Sequence, residues 1–337
     1  YSSASSVVYK RQMNNYWFSI SGQKVQDSTD SMEETLQYFK ALADETRLRL
    51  LNVLCRHELN VNELVLILDM GQSRVSRHLK ILTAAGLLTW RREGLWVFYS
   101  AAQTGKAREF INAVRPFMNG GELFKSDLSM ASGMIEERAL RTRNFFNTIA
   151  EDWDKLSREV MGDFDLSRSV SIHMPHCAVA VDLGCGTGNV LHAMLLKAEK
   201  VVGVDGSARM LELAKRRFLN EGERVSLRIG DLSHLPLADG EADFATLNMV
   251  LHHVPEPETV LTEIRRVLTP SGQLLITDFD RHENEGMRNE YGDLWLGFSK
   301  EKLHAHLTES GFAVEQSEFI KVEKNLALHI VVARNAS

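Results

Sequence analysis

The sequence VDLGCGTG, residues 181–188, decides the fold of the larger part of this chain. The apolar run that ends at residue 181 predicts a short buried strand, and the apolar residues that follow Asn189 share one face, which predicts a helix. Three glycines at alternate positions force a tight turn between them and allow a ligand to approach the backbone closely. The first turn of the helix also offers free N–H groups. Strand, glycine turn and helix together are typical of the first unit of a nucleotide-binding fold.

Two acidic residues after later strands strengthen this interpretation, because a glycine loop alone is weak evidence. Residues 201–204 predict a second strand, and Asp205 follows it, where a carboxylate could accept hydrogen bonds from ribose hydroxyls. Residues 225–229 predict a third strand, followed closely by Asp231. Each acid alone could be a solvated loop carboxylate, but the ordered set indicates a site for a nucleotide-type ligand.

The segments VDLGCGTG, VVGVDGSARML (201–211) and IGDLSHLPL (229–237) resemble the class I S-adenosylmethionine (SAM) methyltransferases. A dinucleotide-binding fingerprint fits less well, because its GxGxxG spacing is out of register here. The resemblance implies that the glycine loop lies against the methionine part of the ligand, that the first acid holds the ribose and that the second meets the adenine amino group. It implies SAM or its product S-adenosylhomocysteine (SAH) as cofactor, bound by Asp182, Gly184, Gly186, Gly188, Asp205, Gly206, Met210, Asp231, Leu232 and Asn248.

The size and composition predict two soluble domains in a reducing compartment. A chain of 337 residues is long for one hydrophobic core. Its three cysteines show no pairing pattern, which favours the cytoplasm, and no apolar run reaches the length of a membrane span, so no membrane partner is expected. The formal net charge of −6 does not suggest nucleic acid, but a whole-chain charge can hide a local basic face.

Such a basic face is predicted near the N-terminus. Helical periodicity predicts four helices, over 34–43, over 44–55, over 61–68 and over 73–84. Two strands, 87–91 and 95–99, follow them with a glycine turn between the strands. The break at Gly71 makes the third and fourth helices a helix-turn-helix, with the hairpin as its wing. Residues 70–92 contain five Lys or Arg and no acid. Charge alone would favour an ordinary solvated helix face, but charge, break, hairpin and spacing together predict phosphate contacts.

The DNA-binding residues follow from this arrangement. The fourth helix is the candidate recognition helix, and two arginines on the wing could reach an adjacent minor groove. The predicted outward positions are Gln72, Ser73, Arg74, Ser76, Arg77, His78 and Lys80 on the helix, with Arg91 and Arg92 on the wing.

The segments ALADETRLRLLNVL (41–54) and SRVSRHLKILTAAGLL (73–88) resemble the ArsR winged-helix repressors. This resemblance implies a homodimer on double-stranded operator DNA that is released when an effector binds. Many relatives sense metals through paired cysteines near the start of the third helix. Asn60 and Asn62 stand there instead, and a neutral amide is a poor ligand for soft metals. Because Cys55 alone cannot build a site, no metal is expected.

The predicted organisation has four parts. Residues 1–31, rich in Ser, Asn and Gln, are expected to form a disordered tail, and 32–118 the winged-helix and dimerisation domain. Residues 119–134 are expected to be a linker with its hinge at 119–121, and 135–337 the methyltransferase-like domain. The amphipathic helix 106–117 could pair two subunits or pack on its own domain. The helix 135–156 contains FFNTIAEDWD (145–154), which resembles the helix that closes over SAM in related methyltransferases.

The fold class predicted for the C-terminal part is α/β, a doubly wound Rossmann-like sheet. Strands over 242–249, 273–279, 313–322 and 327–333 alternate with helices over 257–268 and 299–310, which is typical of this class. Ligands of such sheets bind outside the carboxyl ends of the strands.

No catalytic constellation stands out in the sequence. Methyl transfer needs mainly alignment of the acceptor, and a base only where the acceptor is a poor nucleophile. His252 is interpreted as a packing residue at a strand end, and His282 is the preferred catalytic candidate. The other candidates are His253, Asp278, Asp280, Arg281 and Glu283.

Two functions therefore remain. In the first, the protein is a transcriptional regulator whose methyltransferase-like domain binds SAM or SAH as effector, an arrangement that resembles the SAH-responsive ArsR-type repressors. In the second, it is an active SAM-dependent methyltransferase of a small-molecule acceptor, which the winged helix localises or regulates. The first is preferred, because the fusion replaces a missing metal-effector site with another ligand-binding domain.

Overall fold

The computed structural model of this chain describes residues 32–93, 96–118 and 120–336. Apart from residues 93–95, the chain divides into two compact units, one ending at Ser132 and the other beginning at Gly133. The predicted tail 1–31, the start of the second wing strand at Leu95 and the hinge residue Asn119 lie outside the described residues. Within the described part, the helices are too short or too polar to cross a membrane.

The first unit opens with four helices, and capping side chains fix the starts of the second and the third. They are α1 (32–42), α2 (Glu45–Leu54), α3 (Val61–Leu68) and α4 (Gln72–Ala84). The Asp44 carboxylate accepts a hydrogen bond from the Arg47 N–H and caps α2. Asn60 and Glu63 form a capping box that begins α3. Gly71 precedes α4, so the predicted break between the two helices of the motif is present.

A three-stranded sheet completes the winged helix. Its strands are β1 (Leu59–Asn60), β2 (Leu88–Glu93) and β3 (Trp96–Ala101), in the order β1-β3-β2. The apolar faces of the helices meet in a core that excludes solvent from Leu50, Leu64 and Leu79. The predicted winged helix-turn-helix is confirmed.

The helix after the wing packs on its own unit. Helix α5 (Gly105–Val114) continues into a 3₁₀ turn over Arg115–Met118. The ring of Phe110 lies 5.1 Å from the rings of both Tyr38 and Phe39, and Ile111 is buried. Of the two roles left open for this segment, packing within one subunit is therefore present.

The helix predicted over 135–156 is wrong at both ends. Helix α6 runs over Glu122–Ile149, and after a short break α7 follows over Trp153–Met161. Most of the expected linker 119–134 is therefore helical, because no proline and no turn-forming cluster interrupts residues 122–149. The Arg49 guanidinium binds both oxygens of the buried Asp127 carboxylate at 2.7 Å, which fixes the first half of α6 within the first unit.

The second unit is built on a seven-stranded sheet in the order β6-β5-β4-β7-β8-β10-β9. The first five strands in this order are parallel, and β10 pairs antiparallel with both β8 and β9. The strands are β4 (Cys177–Leu183), β5 (Ala198–Asp205), β6 (Val225–Ile229), β7 (Ala242–Asn248), β8 (Leu268–Phe279), β9 (Phe312–Lys321) and β10 (Ala327–Asn335).

Helices connect these strands, as the alternating pattern predicted. They are α8 (Leu166–His173), α9 (Leu191–Leu195), α10 (Ala208–Arg217), α11 (Pro257–Val267), α12 (Gly286–Glu290) and α13 (Lys300–Glu309). The strand order reverses direction at β4, which lies between β5 and β7. This switch point is where doubly wound sheets bind ligands, and the predicted fold class is confirmed.

Candidate functional site

A cavity of about 520 Å³ opens at the carboxyl ends of the central strands of the second unit. This volume is ordinary for a site that binds a small molecule. It is lined by the predicted residues Asp182, Gly184, Gly186, Asp205, Gly206, Met210, Asp231, Leu232 and Asn248. Gly188 does not line it. A Cβ atom at Gly188 would lie 2.8 Å from the Phe218 ring, and its φ is +83°, so this glycine is needed for the turn and its packing.

The Asp205 carboxylate organises the floor of the cavity. Its two oxygens accept hydrogen bonds from the backbone N–H groups of Gly186, at 2.8 Å, and of Ser207, at 2.7 Å. It thereby ties the glycine loop to the start of α10. Burial raises the pKa of Asp205, and the two N–H donors oppose that rise. Each oxygen keeps a further lone pair that could accept a ribose hydroxyl.

A second carboxyl group, Asp182, lies fully buried at the end of β4. Burial, and then the charge of nearby Asp205, raise its pKa to about 8. Without a ligand, the Asp182 carboxyl is therefore mostly protonated at neutral pH. A cationic ligand in the cavity would favour the ionised form. SAM, with its sulfonium and ammonium groups, has the charge that suits this pair of acids.

We expect Asp182→Asn to stabilise the ligand-free protein, by an amount that grows with pH. The folded state holds a proton on Asp182 up to about pH 8, whereas the unfolded chain releases it near the ordinary value of 3.8. The stability of the wild-type protein therefore falls as pH rises through this window. Asparagine is neutral throughout, so its advantage should reach roughly 2–5 kcal/mol by pH 8. Thermal unfolding at pH 5, 6, 7 and 8 measures it.

The exposed Asp163 provides the control. Asp163→Asn should shift the midpoint of unfolding by a small amount that is the same at every pH. A difference between wild type and Asp182→Asn that stays constant from pH 5 to pH 8 would contradict the protonated state of the buried acid.

Asp231 meets a cation that sequence reasoning missed. One oxygen of Asp231 accepts hydrogen bonds from the Ser233 N–H and hydroxyl, and the other lies 3.6 Å from the Arg143 guanidinium. Burial opposes ionisation, but the Ser233 hydrogen bonds outweigh it and lower the pKa of Asp231. Arg143 comes from α6, 88 residues earlier in the chain, and no local pattern in the sequence connects the two.

Side chains of α6 and α7 cover the cavity. Phe146 and Trp153 both line it, with their rings edge to face at 5.1 Å. The amide oxygen of Asn147 accepts a hydrogen bond of 2.7 Å from the Ser207 hydroxyl at the start of α10. Asp154 accepts one of 2.7 Å from Thr187 in the glycine loop. Two elements that surround the predicted ligand are therefore attached to the covering helices.

The histidines after β7 occupy different surroundings. His252 is buried, with its Nδ1 2.7 Å from the Asp278 carboxylate. His253 lines the cavity and packs edge to face against Phe146, with the ring centroids 4.8 Å apart. The preferred catalytic candidate, His282, does not line this cavity. It borders a smaller one beside Asp280 and Arg281. Burial, followed by the charges of His252 and Arg288, lowers the pKa of His282 to about 4.

Most of the side chains predicted to face outward from α4 are exposed. The side chains of Gln72, Ser73, Arg74, Ser76, Arg77 and Lys80 are exposed. The prediction that His78 also faces outward is wrong, because its ring is buried, with Nδ1 3.5 Å from the Asp44 carboxylate. On the wing, Arg91 binds both oxygens of Glu58, at 2.8 and 2.9 Å.

The first strands and glycine loop define the class of the second unit, a Rossmann-like domain with a cavity at the carboxyl ends of its central strands. Residues 181–276 match the family model described as a methyltransferase domain, and residues 44–89 match that of the bacterial regulatory proteins of the arsR family. The chain therefore combines an ArsR-family helix-turn-helix domain with a methyltransferase domain.

Individual relatives that match part of the chain include methyltransferases. A demethylmenaquinone methyltransferase of Lactiplantibacillus plantarum is 34% identical over 40% of this chain and 60% of its own length. A ubiquinone/menaquinone biosynthesis C-methyltransferase of Campylobacter jejuni is 28% identical over 55% of this chain and 88% of its own. A solved SAM-dependent methyltransferase of Aquifex aeolicus is 22% identical, covering 56% of this chain and 98% of that one with a TM-score of 0.45. The chain spans 30%, 60% and 53% of the first three curated relatives.

Proposed function

We propose that this protein is a DNA-binding transcriptional regulator, a repressor, whose methyltransferase domain binds SAM or SAH as the effector. The observation that carries the proposal is that one helix, α6, supplies residues to both units. Asp127 of α6 is held by Arg49 of the winged-helix unit, while Arg143 and Phe146 of the same helix line the ligand cavity of the other unit.

The proposed coupling follows from linkage. A ligand can change DNA affinity only if it binds two states of the protein with different affinity. Closure of the second half of α6 over an adenosine ligand would pull on Phe146 and Asn147, and the first half of the same helix contacts α2. In a homodimer this changes the spacing of two recognition helices, which must match half-sites about 34–36 Å apart.

The proposed DNA partner and dimer rest on exposed side chains of the first unit. Arg74, Arg77 and Lys80 form a basic face on α4, in a segment without acids. Phe39 on α1 and Phe117 after α5 expose 57% and 85% of their surfaces, and a second subunit would cover such apolar area. A cytoplasmic location belongs to the proposal, because operator DNA and SAM are both found there.

Active methyl transfer is the second candidate function, and the quinone methyltransferases among the relatives favour it. The cavity holds both the predicted ligand residues and a histidine after β7, so an acceptor could lie beside the sulfonium. Sensor and enzyme need the same SAM contacts, which is why one experiment must address both.

Saturating SAM or SAH is expected to change operator affinity by 5- to 150-fold, the usual range of allosteric coupling. DNA fragments selected by the purified protein from a random-sequence pool serve as the probe, and fluorescence anisotropy measures binding. The samples that contain SAM, supplied with a demethylated naphthoquinol, are assayed for newly formed SAH by mass spectrometry. Unchanged DNA affinity with both ligands would overturn the regulator, and catalytic SAH release would then favour the enzyme.

A further inference from the structure

Three buried side chains of the second unit meet beside the cavity with too few hydrogen-bond partners. His252, His253 and Asp293 each expose 5% of their surface or less, and one ligand-type atom from each lies within 4.8 Å of the other two. Nε2 of His253 and both carboxylate oxygens of Asp293 have no hydrogen-bond partner among the described residues. Buried polar atoms are nearly always paired, because their loss of water is otherwise uncompensated.

The other nitrogen of each histidine is held by an acceptor. His252 Nδ1 lies 2.7 Å from the Asp278 carboxylate, and His253 Nδ1 lies 3.1 Å from the carbonyl oxygen of Gly292. Each acceptor favours a proton on Nδ1, which leaves a lone pair on Nε2. Histidines that bind metals in proteins are oriented in this way, by a carboxylate or a carbonyl on the nitrogen away from the metal.

A simple ion pair does not satisfy this cluster. Nε2 of His252 lies 3.7 Å from the nearer oxygen of Asp293, which is too long for a hydrogen bond. Such a pair would also leave the second oxygen of Asp293 and Nε2 of His253 without partners. One cation bound among the three side chains would instead bind Nε2 of both histidines and an oxygen of Asp293.

We propose that His252, His253 and Asp293 bind a divalent transition-metal ion of the zinc type. Two imidazoles and one carboxylate suit Zn²⁺ and Fe²⁺, whereas Mg²⁺ and Ca²⁺ prefer oxygen ligands alone. Ligand atoms around a tetrahedral zinc ion lie roughly 3.3–3.6 Å apart, from bond lengths of about 2.0–2.2 Å. The three side chains therefore close by about 1 Å around the ion.

The backbone segments that carry the cluster are hydrogen-bonded to one another. The N–H groups of Leu294 and Trp295 both donate to the carbonyl oxygen of His252 at 3.0 Å. The Trp295 indole N–H donates to the carbonyl oxygen of Val254 at 2.6 Å. The segments that carry the three ligands are thus fixed next to each other.

Three protein ligands leave a coordination position open, which is typical of metal sites that bind substrates. His253 also lines the large cavity, so a ligand there could reach the ion. The chemical class that fits is a small molecule with an ionisable oxygen, such as a phenol or an enol, whose oxygen the ion would bind in its deprotonated form. Binding of an acceptor oxygen by the ion rests on the second candidate function, active methyl transfer. The metal site itself does not depend on it.

Metal binding to the chelator-treated, SAM-free full-length protein tests the site. We expect one equivalent of Zn²⁺ by calorimetry, and one equivalent of Co²⁺ with absorption in the visible region. Asp293→Asn and, separately, His253→Gln should each weaken binding at least 100-fold. His306→Gln alters a buried histidine elsewhere in the unit, paired with Glu258 at 2.9 Å, and should bind as the wild type does.

The wild-type titration alone can overturn the proposal, since a protein that takes up neither Zn²⁺ nor Co²⁺ stoichiometrically has no such site. Wild-type affinity in both cluster variants, with circular dichroism showing that they are folded, would also overturn it. Metal binding without any SAM or SAH binding would refute the proposed function and leave the metal site standing.

Discussion

Asp205→Ala is expected to weaken the binding of SAM and SAH at least 100-fold while leaving DNA binding without ligand close to the wild-type value. The substitution removes the acceptor proposed for the ribose hydroxyls. It also releases the N–H groups of Gly186 and Ser207, which the carboxylate holds at 2.8 and 2.7 Å. Each hydrogen bond to a charged group contributes about 1.5–3 kcal/mol, so losing the two bonds proposed from the ribose hydroxyls lowers the affinity by a factor of about 100.

Calorimetry with each ligand measures this loss. The exposed Asp163→Ala is the matched control, because it removes a carboxylate from the same unit and should bind both ligands normally. Asp205→Asn keeps one oxygen acceptor and should fall between the two. Affinity in Asp205→Ala within threefold of the wild type would contradict the ribose role. The regulator proposal adds that SAM and SAH should no longer change the DNA affinity of this variant.

The sequence was most informative where a local backbone requirement dictates residue type. The glycines at 184 and 186 have φ values of +71° and +51°, conformations that other residues adopt only with strain, so their spacing alone indicated the loop. The second half of the strand that precedes them, residues 180–183, is buried on both faces, and the apolar run 178–181 made β4 equally recognisable. Asp205 was predicted in the same way, because it directly follows the apolar run of β5.

Contacts between distant segments left no such signal. Arg143 reaches Asp231, and Asn147 reaches Ser207, across 88 and 60 residues of chain. The segment 280–298, which supplies Asp293, has no regular periodicity, so nothing in the sequence placed this acid beside His252. Pairing across such distances depends on how the helices pack over the sheet.

The burial of His78 could have been predicted from the sequence, because the helical spacing of α4 places position 78 on the buried face. Val75, Leu79 and Leu82 set the buried face of α4, and position 78 lies three residues after the first and four before the last. Helical periodicity therefore predicts a buried side chain there. The polar ring and the basic residues on either side of it favour an outward position instead, and in this helix the periodicity is the better guide.

The double substitution Arg74→Ala and Arg77→Ala is expected to weaken DNA binding roughly 10- to 100-fold and to make it less sensitive to salt. Both side chains are exposed on α4, three residues apart and hence on the same face. Each phosphate contact releases counterions, and each contributes about −0.9 to the slope of log affinity against log salt concentration. Loss of both contacts should therefore reduce the slope by about 2.

Fluorescence anisotropy with a selected DNA duplex, at several salt concentrations, gives both quantities. Arg168→Ala with Lys215→Ala is the control, because it removes the same charge from exposed positions of the second unit and should preserve affinity and slope. This comparison separates contact from the general attraction between DNA and net positive charge, which both double variants change equally. If the two variants lose affinity to the same extent, α4 does not contact the phosphates. If the α4 variant loses affinity with an unchanged slope, its arginines act through base contacts or through the stability of the helix.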